Sequence, residues 1–168
     1  MDIEIREIIS SAFNGVSLGD GISLRQAQAI DNYGEGITDE EFKHLRINEI
    51  TNDWSKVSFE ELELNCIAHL DAEGYRYYIP AFMLSVLSHY ESSSMRVIGT
   101  LGSLYPKEKM WFYHMERYSL LNQEQREAIA KYISVLPTLV SLDRDDLVII
   151  ERALKNYWAQ YLKREIYI

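Results

Sequence analysis

The chain has 168 residues, 47% of them apolar and 26% charged, with 8 Gly and 3 Pro. That composition excludes a disordered or fibrous protein and fits one core of globular size. A net charge of -9 makes the surface repel phosphate and anionic lipid, so neither a nucleic acid nor a membrane is expected as a partner. The lone thiol, Cys66, excludes an internal disulfide and a zinc site built on several thiolates. The start Met1-Asp2-Ile3-Glu4 has neither a basic nor an apolar leader region, and the reading is cytoplasmic.

In chain order, Ile5, Ile8, Ile9, Ala12, Phe13 and Val16 recur at spacings of three and four, which predicts an amphipathic helix over 2–14 ending at Gly15. Residues 16–22 read as a loop. Ser23 is an N-cap for a helix running to Tyr33 and stopped by Gly34. Thr38 with Glu41, and Ser58 with Glu61, are capping boxes. The first opens a short helix through Phe42 and Leu45, the second a helix holding Phe59, Leu62, Cys66, Ile67 and Leu70. Asp71-Ala72-Glu73-Gly74 reads as a turn, and Pro80, best tolerated in a first turn, places a helix at 78–91 with a stripe of Ile79, Phe82, Met83, Val86, Leu87 and Tyr90.

The segment 92–121 predicts only irregular chain with short helical turns. Asn122 with Gln125 caps a helix through Ile129, Tyr132, Ile133 and Leu136 up to Pro137, and a last helix over 143–164 carries Asp143, Asp145 and Asp146 at its start and Lys163 and Arg164 at its end. No length or residue pattern repeats. The expectation is an all-α fold, an irregular helical bundle of about six to seven helices in a single domain over 1–168.

The candidate chemistry is sparse. The glycine loop before Ser23 is neither of the phosphate-binding motifs, and Asp20 would repel an anion at its mouth. Of Glu63, Cys66, His69 and Glu73 the first three could share a face on a continuous helix, but Cys66 falls in the apolar stripe and no second Cys is present, so no metal is expected. Glu40 and His44 read as an exposed i, i+4 pair, and His89 and His114 as unpartnered structural residues. Asp143, Arg144, Asp145 and Asp146 lack the glycine and glutamate of a calcium loop. Lys107, Lys109, Trp111, Tyr113, Arg117 and Tyr118 interleave basic and aromatic residues, yet Glu108 and Glu116 stand among them, and core aromatics are the better reading. Arg76 among Tyr75, Tyr77 and Tyr78 offers either a recognition surface or an arginine paired with Asp71 or Glu73.

Several motifs recur in order along nearly the whole chain: Ala12-Phe13, Leu18-Gly19-Asp20-Gly21-Ile22-Ser23-Leu24, Ala27-Gln28-Ala29-Ile30-Asp31 and Asp53-Trp54. They continue through 71–82, Leu120-Leu121-Asn122-Gln123-Glu124-Gln125-Arg126 and Ala153-Leu154-Lys155-Asn156-Tyr157-Trp158. In these the chain resembles an uncharacterised bacterial family, domain of unknown function 6714. The resemblance implies one domain and assigns no activity, catalytic residue or cofactor.

Two functional expectations stand side by side. The first is a non-catalytic protein-binding domain, an immunity-type protein in its concrete form, drawn to a basic partner surface. The second is a small-ligand binder or an enzyme with its site between the 18–23 loop and the 71–80 turn, using Asp20, Asp71, Glu73, Arg76 and Tyr78.

Overall fold

A computed structural model describes residues 1–64 and 66–163. Among these residues the chain is all-α, with nine α-helices, short 3-10 turns between them and no strand. The helices are α1 (Asp2–Ala12), α2 (Leu24–Tyr33), α3 (Asp39–His44), α4 (Phe59–Leu62), α5 (Ala72–Ser88), α6 (Met95–Ser103), α7 (Trp111–Tyr118), α8 (Gln123–Leu139) and α9 (Arg144–Asn156). Seven have at least seven residues, which matches the six to seven expected.

The local caps form as their residue types dictate. Ser23, Thr38, Ser58 and Asn122 each accept the N3 amide while the N3 Gln or Glu side chain returns to the cap backbone, so two orphan donors are satisfied at each helix start. Gly34 stops α2 at φ 56.

α5 is the axis of the molecule, and here the sequence expectation is corrected. The segment 71–74 is not a separate turn: Asp71 is the N-cap, and the helix begins at Ala72. Pro80 lies in the helix interior, not its first turn, and it and its neighbours from Tyr77 to Met83 are all buried. A helix apolar on every side is a buried helix. α5 packs against α1, α4, α6, α7 and α8, and those contacts hold Pro80 in place despite the backbone hydrogen bond it cannot donate.

Three further expectations change. The helix opened by Ser58 ends after four residues, and Ile67–His69 form a separate 3-10 turn, so Glu63, Cys66 and His69 do not share one helix face. No cluster of metal-ligating residues occurs among the described residues. The segment 92–121 carries two regular helices, α6 and α7, and α8 runs through Pro137 to Leu139. The last helix stops at Asn156, where Tyr157 leaves helical geometry at φ -144 and a 3-10 turn, Trp158–Tyr161, begins. Arg164, expected at its end, lies outside the described residues.

The break at Tyr157 folds the C-terminal aromatics into the core. Trp158 is fully buried and donates its indole N–H to the Leu104 carbonyl at 2.7 Å, while its ring packs on Tyr118 with centroids 5.0 Å apart.

A buried arginine ties α5 to α6. Arg96 is 2% exposed; it donates to Glu63 at 2.9 Å, to the Ser85 hydroxyl at 2.7 Å and to the His89 carbonyl at 2.6 Å, and its guanidinium lies over the Phe59 ring. Replacing it with alanine strands these acceptors and opens a void. Arg96→Ala is expected to cost about 3 kcal/mol, lowering Tm by roughly 6–12 °C in a thermal melt. A shift below about 2 °C would show that the guanidinium is not a fastener of these helices.

Candidate functional site

The 18–23 loop and the start of α5 do converge, and the close approach is set by backbone and glycine. Asp71 Oδ1 accepts the Gly74 amide at 2.9 Å as a helix cap and the Ile22 amide at 2.9 Å across the junction. A Cβ on Gly74 would meet the Ile22 carbonyl at 2.5 Å, and one on Gly21 would meet Glu73 Cβ at 2.7 Å. The loop is held from its other side by Arg46, which donates to the carbonyls of Gly19 at 2.6 Å and Gly21 at 2.8 Å, and by Leu18, whose amide reaches the Thr51 carbonyl at 2.8 Å.

The five sequence-selected residues take different parts. Asp71 holds the junction. Tyr78 is buried, and its hydroxyl accepts the Leu24 amide at 3.4 Å. Glu73 is half-buried beside the loop, and Asp20 is exposed on it. Arg76 is half-buried, pairs with neither Asp71 nor Glu73, and its Nε has no acceptor among the described residues. Tyr75, Tyr77 and Tyr78 are core, not a recognition surface. Tyr77 donates to the Ile50 carbonyl at 2.6 Å and burial pushes its hydroxyl up to about 12.

Sequence reasoning missed Glu49, and it named Arg117 only within a basic and aromatic run read as core. The Glu49 side chain is 4% exposed: Oε1 accepts the Arg25 amide at 3.1 Å while Oε2 is buried without a partner. Burial raises its pKa, opposed by the Ser23 hydroxyl and by the amide and charge of Arg25. No spacing rule brings Glu49 to α2; only the path of the intervening loop does.

Arg117 lies on α7 with its guanidinium 3.4 Å over the Tyr113 ring. Arg117 and Tyr113 both donate to the Ala68 carbonyl, the arginine at 2.6 Å. Together with Ile22, His69, Leu70, Asp71, Ala72 and Glu116 they line a cleft of about 340 Å³. His69 Nε2 lies 3.0 Å from Asp31 at this side of the molecule. The second expected reading therefore has a physical cleft near its position. Of the five residues selected from the sequence, however, only Asp71 lines it.

A larger groove of about 760 Å³ runs between α1 and α8. α1 contributes Glu4, Glu7, Ile8, Ser11 and Ala12, positions that share one helix face; α8 contributes Glu124, Glu127, Ala128, Lys131 and Ser134, which share another. The start of α1 lies beside the end of α8, where the Thr138 hydroxyl reaches the Met1 sulfur at 3.5 Å, so the two helices run antiparallel. Tyr161, Leu162 and Lys163 close one end, with Lys163 paired to Glu127 at 3.0 Å.

The fold and its surface thus define a small all-α domain with a two-helix groove and a separate lateral cleft. The chain belongs to the family of unknown function DUF6714, whose model matches residues 1–162. No curated protein and no solved structure matches it.

Two substitutions test the junction and the buried Glu49 carboxylate in turn. Gly74→Ala drives a Cβ into a backbone carbonyl that cannot step aside, and is expected to cost about 2–3 kcal/mol in denaturant unfolding. The Glu49 pKa is raised on folding, so its ionisation costs stability as pH rises through the folded value; below the ordinary carboxylate pKa that cost is absent. Glu49→Gln is expected to melt above the wild type at about pH 8, the gap closing by about pH 4. A gap independent of pH would exclude this role for the carboxylate.

Proposed function

We propose that this domain acts by binding another protein, in the cytoplasm, and that the partner lays a basic segment into the groove between α1 and α8. The observation that carries the reading is the groove itself: a floor of Ile8, Ala12, Ala128 and Leu162 with four glutamates and two lysines along its sides. Small side chains at Ser11, Ala12, Ala128 and Ser134 leave the space a third helix would fill. One lysine, Lys163, is already paired with Glu127, so the open charges are mostly carboxylates, in a chain of net charge -9. Such a field accelerates encounter with a cationic partner and orients it.

A cytoplasmic setting is supported by the buried lone thiol, Cys66, which burial pushes up to about 11 and which gives the protein no ready redox chemistry. No helix among the described residues is long and apolar enough to cross a membrane.

The test is affinity capture from the native host with the wild-type chain and with a triple variant, Glu4→Lys, Glu7→Lys and Glu124→Lys, whose three positions are exposed and outside the core. The expected outcome is one stoichiometric partner, held by the wild type, weakened by raised salt and lost at least tenfold by the variant. Equal recovery by both forms, or no stoichiometric partner, would overturn the reading.

A further inference from the structure

The lateral cleft is lined by opposite charges, Arg117 with Glu116 and Asp71, that do not pair among the described residues. Arg117 is desolvated enough that burial lowers its pKa, and Glu116 and Asp71 are close enough for their charges to act on it in the opposite sense. Yet Arg117 makes no ion pair among the described residues; its recorded acceptors are the carbonyls of Tyr113 and Ala68. A guanidinium has five N–H donors, so these two carbonyls leave most of its capacity unused. All three charged residues line the same cavity of about 340 Å³, with Ile22, Leu70 and Ala72 as its apolar part.

Three physical points follow. Holding a half-buried guanidinium apart from nearby carboxylates is unfavourable unless something completes its hydrogen bonds. The separation is maintained by the fold: Asp71 Oδ1 is committed to the Ile22 and Gly74 amides, and Arg117 is stacked on Tyr113 and anchored to Ala68. The cavity lies at the small end of the range for ligand sites, suited to a molecule of a few heavy atoms to about a dozen.

We propose that this cleft binds a small zwitterion of the amino-acid type. Arg117 receives the carboxylate, Glu116 with the free oxygen of Asp71 receives the ammonium, and Ile22 and Leu70 contact an aliphatic side chain. A simple anion would satisfy Arg117 but meet the carboxylates unfavourably, and a simple cation would do the reverse. Only a ligand bearing both charges complements both walls. The site is distinct from the α1–α8 groove, with which it shares no lining residue.

The experiment is titration of the full chain with L-leucine, glycine, acetate and methylammonium, followed by amide chemical shifts and calorimetry. L-leucine is expected to bind most tightly, glycine more weakly, and acetate and methylammonium at least tenfold more weakly than L-leucine, with shifts concentrated at residues 22, 69–72 and 113–117. Arg117→Gln is expected to abolish zwitterion binding. Glu116→Gln, at an exposed position that keeps the test valid if the arginine variant does not fold, is expected to weaken L-leucine about tenfold while leaving acetate unchanged or tighter. Absence of binding by L-leucine up to about 10 mM, acetate binding as tightly as L-leucine, or a Glu116→Gln variant indistinguishable from wild type would each overturn the proposal.

Discussion

The structure depends on the burial of α5 at its centre. Eleven of its seventeen residues are buried, and helices come to it from several directions. The first turn of a helix leaves amides without intrahelical partners, and at α5 the N-cap satisfies that of Gly74. Asp71 does this with one oxygen, and the same oxygen fixes the 18–23 loop through Ile22. Gly21 and Gly74 follow from that contact: the loop backbone passes so close to the helix start that a Cβ on either would overlap it. What reads in the sequence as a pair of glycine-containing turns is one interlocked junction.

A second theme is the use of arginine to satisfy carbonyls in an acidic protein. Arg46 holds the carbonyls of Gly19 and Gly21, and Arg96 that of His89 at the end of α5. Arg126 holds those of Tyr118 and Leu121 at the end of α7, and Arg117 that of Ala68. The planar fork suits this role, since it reaches carbonyls that helix ends and turns leave without partners. Arg126 completes its bonds with the Tyr157 and Tyr161 hydroxyls. Arg117 fastens Ala68 as well, but it also lines a cavity.

The surface is divided in a way that matches the two proposals. The wide groove lies on α1 and α8, where side chains are short along the floor and acidic on the walls. The narrow cleft lies on the opposite use of charge, a cation set among carboxylates and stacked on tyrosine. Neither draws on the glycine loop as a phosphate cradle, because that loop spends its carbonyls on Arg46 and its Ile22 amide on Asp71. His114, unpartnered in the sequence, is buried among aromatics at 6% exposure, with its pKa lowered by burial and by Arg117 and Lys107. It is a packed residue, as its sequence context implied.

The starts of α2, α3, α4 and α8 were legible because capping is local: Ser23, Thr38, Ser58 and Asn122 each meet a Gln or Glu three residues on, and no distant contact is needed to form the box. The all-α class followed from the same short-range periodicity. The start of α5 and the end of α8 were less legible, since Pro80 and Pro137 disfavour an isolated helix around them but are tolerated inside one when packing secures the neighbouring turns. Of the residues selected from the sequence, Asp71 alone lines the lateral cleft. Glu49 and Arg117 could not be found from spacing, because what gives each its character is burial against segments more than twenty residues away. The sequence by itself determined the capped starts of α2, α3, α4 and α8 and the all-α class, because those are properties of neighbouring residues. Only the tertiary structure decided which charges were left unpaired, because desolvation and separation belong to the packed chain and not to any stretch of it.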